Sequence, residues 1–167
     1  MNATPEEIPQ DLAKLEELLL RGASTVRQVE AAERLVLRVS GLRDWLIANH
    51  FVRKYNDDSG VFAATDFESA YRYANELKRT GGDGALSESG LNESHYSVLG
   101  VAANLSGKIA NSLRYAVHNI DEEDAQLVAE SLLYAFGYMD AVVDVTGNET
   151  DGIGPNAIEY DRRTLEL

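Results

Sequence analysis

Apolar residues recur at helical spacing through most of the first eighty positions, with one short interval of different period. Leu12, Leu15, Leu18 and Leu19 share one face of a helix over Gln10 to Arg21, and Gly22 provides its stop. Thr25-Val-Arg-Gln28 reads as a capping box: the threonine hydroxyl accepts the Gln28 amide proton while the glutamine side chain reaches back. Val29, Ala32 and Val36 extend the apolar face as far as Ser40-Gly41. There either a new helix starts or one long helix bends, because glycine costs roughly 1 kcal/mol in a helix interior and serine is a good N-cap. Leu42, Trp45, Leu46 and Ala48 carry the next helix to Asn49-His50, with Trp45 a core residue.

Beyond His50 the period shortens. Phe51 to Tyr55 and Val61 to Thr65 are β-favouring runs flanking Asn56-Asp-Asp-Ser-Gly60, a strong hairpin signal. Thr65 or Asp66 then caps a helix through about Arg79, with Phe67, Tyr71, Ala74 and Leu77 as its buried stripe. Residues 80–94 are rich in Gly and Ser and predict a flexible connection. Two long helices follow. One carries Val98, Ala102, Leu105, Ile109, Leu113 and Ala116; the other carries Ala125, Val128, Leu132, Ala135, Met139 and Val142 at a heptad-like spacing. The turn between them, Asn119 to Asp124, places acids at the positive end of the second helix. An antiparallel helical hairpin is expected over 94–146, and a loose acidic tail over 147–167.

Charge sharpens this picture. The chain carries 28 acids against 15 Lys and Arg, a net −13. Residues 21–54 run the other way: Arg21, Arg27, Arg34, Arg38, Arg43, Arg53 and Lys54 stand against Glu30, Glu33 and Asp44, a local +4. Cations grouped on one element attract phosphate whatever the global balance. The acidity elsewhere reads either as the surface habit of a high-salt or arginine-favouring genome, or as imitation of nucleic acid. Cysteine is absent, which excludes disulfides, thiolate metal sites and cysteine nucleophiles. No basic stretch leads into an apolar run at the start, and no window approaches 18 apolar residues. The expectation is a cytoplasmic protein with no membrane partner.

The order of elements in the first half is helix, helix, helix, two-stranded hairpin, helix. Its carrying residues are Leu12 to Leu20, Ser24 to Val29, Ser40 to Leu46, Asn49 to Tyr55 and the Asn56–Gly60 turn. This half resembles the winged helix-turn-helix DNA-binding proteins at the level of the superfamily. The expected fold is therefore mainly α: a winged-helix-like domain over 8–80 with a small β-hairpin, a linker over 81–93, and the C-terminal helical hairpin. The resemblance implies that the Ser40–Ala48 helix enters the major groove of double-stranded DNA. Arg38, Ser40 and Arg43 would then reach base edges, while Arg34, Arg53 and Lys54 hold phosphates. It implies a homodimeric transcription regulator, with the helical hairpin as its dimerisation or sensing unit. Two departures stand beside it. No glycine turn separates the second and third helices, and the hairpin tip carries Asp57 and Asp58 where a basic wing suits phosphate better. The alternative is an acidic helical interaction protein that binds or inhibits another protein, of the type viruses and mobile elements encode.

Catalytic chemistry is thinly represented, and neither an enzymatic activity nor a cofactor is expected. His118 with Asp121 and Glu122 has a spacing a metal can use, but it falls at a turn where such residues cap helices. Glu30/Glu33 and Asp140/Asp144 faintly resemble the paired acids of all-α nucleotide pyrophosphohydrolases, without the second motif's expected spacing. Gly81-Gly-Asp-Gly84 lacks the lysine of a phosphate-binding loop.

Overall fold

The computed structural model describes residues 8–58, 60–109 and 113–138. It is mainly α, with three helices leading into a two-stranded antiparallel hairpin, as expected. Helix α1 (Leu12–Ala23) starts at Asp11, whose carboxylate accepts the Ala13 and Lys14 amides at 3.0 and 3.2 Å. Gly22 does not stop it; the helix runs on to Ala23 and ends at Ser24, φ 52°. The glycine answers a packing need instead. A Cβ at Gly22 would lie 2.0 Å from the Ala63 carbonyl oxygen of the hairpin. The capping box also fails to form. Ser24 and Thr25 both take the left-handed conformation, φ 52° and 62°, to turn the chain tightly. Thr25 thereby leaves the extended backbone an N-cap needs, and helix α2 (Arg27–Arg38) is preceded by Val26 with no side-chain cap.

A single extended residue, Val39 (φ −87°, ψ 90°), separates α2 from α3 (Ser40–Ala48), so a new helix does begin at Ser40. Gly41 leaves room for the His95 ring, whose Cε1 would be 2.4 Å from a Cβ there. Trp45 is buried and rings with Phe51 and Tyr73 at 5.4 and 6.1 Å between centroids. Strands β1 (Val52–Asp57) and β2 (Gly60–Thr65) pair from Val52↔Thr65 to Asp57↔Gly60.

Helix α4 (Phe67–Glu88) opens on Asp66, which accepts the Ser69 amide. It continues well past Arg79, kinking at Gly82 (φ 63°, ψ −154°). The segment 81–93, expected to be a flexible linker, is therefore helical for most of its length. Leu86 and Leu91 anchor it with no exposed surface, and two buried leucines outweigh the helix cost of the glycines. The long helix expected over 98–116 is divided. Helix α5 (Glu93–Leu105) ends before Gly107 (φ 70°), and the short α6 (Leu113–Ala116) follows. Helix α7 (Glu122–Ala135) turns Asp124, Val128, Ser131 and Ala135 inward, while Ala125 of the expected seam is exposed. Met139, Val142 and the 147–167 tail lie outside the described residues.

At the centre lies α2, packed against α1, α5 and α7 together. Ala31, Ala32, Leu35, Val36 and Leu37 are each at most 2% exposed. One hydrophobic cluster runs from Leu15 to Ala135, so the two halves expected as separate units share a core. Among the described residues no helix is long and apolar enough to cross a membrane.

Candidate nucleic-acid interface

The amphipathicity of α2 decides where its cations go. Four partner helices leave it little free surface, so an arginine on this helix must find an acid nearby or face a desolvation cost. Arg34 finds Glu16 of α1 at 3.3 Å, the two side chains 12% and 10% exposed. Arg38 reaches α7, where Nη1 donates to Glu130 Oε2 at 2.7 Å. Arg43, on α3, pairs with the neighbouring Asp44 at 2.9 Å and donates to the Leu37 carbonyl at 3.4 Å. These three arginines serve the fold's own carboxylates.

The remaining residues expected at the interface sit apart from them. Ser40 is exposed at the first turn of α3. It shares an outward stripe with Asp44 and Ala48, so that stripe carries an acid and no cation. Arg53 is on β1, its side chain 54% exposed and 3.8 Å from Asp66, with Nε directed at the His50 carbonyl at 3.4 Å. Lys54 is half-buried on the other face of the strand. The fold thus gathers Arg34 and Arg38 on one buried helix and leaves Arg53 on the hairpin. No single face collects all six.

Several polar residues take roles in the structure that their sequence positions did not specify. Glu33 of α2 is 2% exposed and meets no cation; its two carboxyl oxygens take the Thr65 amide at 3.0 Å and the Thr65 hydroxyl at 2.5 Å. Burial pushes its pKa up to about 7, against the two Thr65 hydrogen bonds that pull it down. Glu30 accepts the Tyr134 hydroxyl at 2.6 Å, and burial first, then Glu30, raises that phenol to about 12. Arg27 lies over the Tyr134 ring, 5.2 Å from its centroid. The Glu30/Glu33 pair therefore points to two different partners rather than to one metal. Among the described residues no group of three His, Asp or Glu is placed to hold a metal ion. Asp121 caps α7 by accepting the Asp124 amide, and Asp124 accepts the Ser94 hydroxyl at 2.6 Å, the structural use expected of that turn.

Glu16 and Glu33 left a trace in the sequence. Glu16 falls four residues after Leu12 and three before Leu19; Glu33 falls four after Val29 and three before Val36. Each is an acid set on an apolar face, the position at which a buried carboxylate must have a partner.

Comparison with known proteins finds no matching family model, no similar curated protein and no matching solved structure.

Proposed function

We propose that this protein is a non-catalytic, acidic helical interaction module whose partner is a protein with a cationic surface. The observation that carries this reading is the fate of the arginines. Arg34, Arg38 and Arg43 are held by Glu16, Glu130 and Asp44, so three of the seven cations of the positive island already pair with the fold's own carboxylates. At exposed positions acids outnumber cations, and Arg21, Arg72 and Arg79 are already paired along their own helices with Glu17, Glu68 and Glu76. Asp121, Glu122 and Glu123 stand together and exposed at the start of α7. Such a surface accelerates encounter with a basic protein and repels nucleic acid.

The second reading is the DNA-binding homodimer of winged helix-turn-helix type. What favours it is the exposed Arg53 on the hairpin, beside the order of three helices and a hairpin. In that reading Arg53 and Lys54 hold phosphate and Ser40 faces the groove.

Fluorescence anisotropy with duplex DNA across a salt series separates the two. The acidic module shows no salt-dependent DNA affinity, and in-cell cross-linking joins it to a Lys/Arg-rich surface that Glu122→Lys/Glu123→Lys releases. DNA binding that falls steeply from about 50 to 200 mM salt, and that Arg53→Ala/Lys54→Ala removes, overturns it in favour of the second reading.

A further inference from the structure

The hairpin has two outer edges, and the ladder shows which backbone groups face them. Phe51 oxygen accepts the Asp66 amide at 2.8 Å, extending the register of the strands. By antiparallel alternation Arg53, Tyr55 and Asp57 turn their backbone groups toward β2, while Val52, Lys54 and Asn56 turn theirs outward. Among the described residues the sheet has no third strand, and no helix packs on β1 as extensively as α1 packs on β2. Register also sorts the side chains. Ala63 and Thr65 are buried with Val52 on the inner face, so Arg53, Tyr55 and Asp57 share the outer face, where Tyr55 stacks on Phe62 at 5.3 Å.

We propose that β1 is a self-recognition edge, pairing antiparallel with β1 of a second copy about a two-fold axis through Tyr55. Two hairpins then form one four-stranded sheet. The charge order of the strand selects this arrangement: Arg53 and Lys54 lie at its start, Asp57 and Asp58 at its end. An antiparallel copy sets cation against anion. Registers centred on Arg53, Lys54, Tyr55 or Asn56 all keep outward backbone groups opposed, and centring on Arg53 brings two guanidinium groups together. Centring on Lys54 brings two ammonium groups together. Centring on Asn56 shortens the overlap and leaves Arg53 opposite the turn. Centring on Tyr55 opposes Arg53 to Asp57 twice and Lys54 to Asn56 twice, over a shared strand as long as that of the Lys54-centred register. The isologous contact closes on itself and leaves no edge for further growth at β1.

This inference does not depend on the acidic-partner reading, and its test is read without any partner. The chain has no cysteine, so Tyr55→Cys introduces one thiol per copy. Facing residues at such a non-hydrogen-bonded site lie about 4.5 Å apart at Cα, within disulfide range. Under mild oxidation Tyr55→Cys forms a covalent dimer, and an equimolar mixture of Arg53→Cys and Asp57→Cys chains cross-links better than either alone. In sedimentation velocity on the full chain, Arg53→Asp weakens the dimer about tenfold or more, and Arg53→Asp/Asp57→Arg recovers it. Circular dichroism confirms that each variant folds. A folded monomer at every concentration overturns the proposal and leaves the charged edge as a guard against aggregation. So does a dimer that cross-links through Phe136→Cys and ignores both charge changes.

Discussion

Along β2 three outward backbone groups are met by residues of α1 and α2, whereas among the described residues β1 has no comparably extensive helix packing and its edge carries charged side chains. Arg21 Nη1 donates to the Val61 carbonyl at 3.1 Å, the Ala63 carbonyl lies against Gly22, and the Thr65 amide bonds Glu33. A β-edge closed in the first way is fixed by side-chain shape and tolerates few substitutions. One guarded in the second way, with Arg53 and Asp58 at exposed positions, is less constrained by the packing of the core. The difference separates a seam of the core from a charged strand edge.

Breaking the sealed edge has the largest expected effect. Glu33→Ala leaves the Thr65 amide and hydroxyl without partners in the interior, and chemical denaturation at pH 5 should show a loss of about 3 kcal/mol. The same carboxyl sets a pH dependence. With its folded pKa raised from 4.5 to about 7, the native state binds more protons than the unfolded chain across that window. Its contribution is intact below 4.5 and is lost as pH rises through 7, by roughly 3 kcal/mol in all. Glu33→Gln keeps the hydrogen-bonding shape without the charge, so its stability should change less over pH 5–8 and exceed that of the parent at pH 8. Equal slopes would show that Glu33 ionises normally.

Gly22→Ala comes next, since the added methyl must displace the Ala63 carbonyl; thermal denaturation should report a loss of about 2 kcal/mol despite the better helix propensity of alanine. Arg38→Ala strands Glu130, which is 20% exposed, and should cost about 1–2 kcal/mol in denaturant unfolding. On the guarded edge, Arg53→Ala should shift monomer stability by less than about 0.5 kcal/mol, because its side chain is 54% exposed. A larger loss would mean that β1 belongs to the core as firmly as β2.

Much of the architecture was legible from local pattern. The hairpin followed from five turn-forming residues between two β-favouring runs, and the helices of the first half from the spacing of their apolar residues. Composition misled at 81–93, where Gly and Ser dominate by number while Leu86 and Leu91 dominate by burial. The partners of the arginines were not legible for a related reason. A cation looks available in sequence until its partner is known, and Glu130 stands 92 residues from Arg38. Periodicity shows which face of a helix is apolar, but not how many neighbours cover it. Helix α2 has four, α1, α3, α5 and α7, so even residues flanking its apolar stripe are enclosed.

The central place of α2 bears on how the chain is made. Its contacts with α1 and with Thr65 involve residues up to 65, whereas Tyr134 meets Glu30 from 104 positions later. During synthesis α1, α2 and the hairpin emerge together, yet the side of α2 that faces α7 has no cover for about 70 further residues, several seconds of elongation. For that interval the nascent chain carries a half-clad helix, its apolar side covered on one flank only.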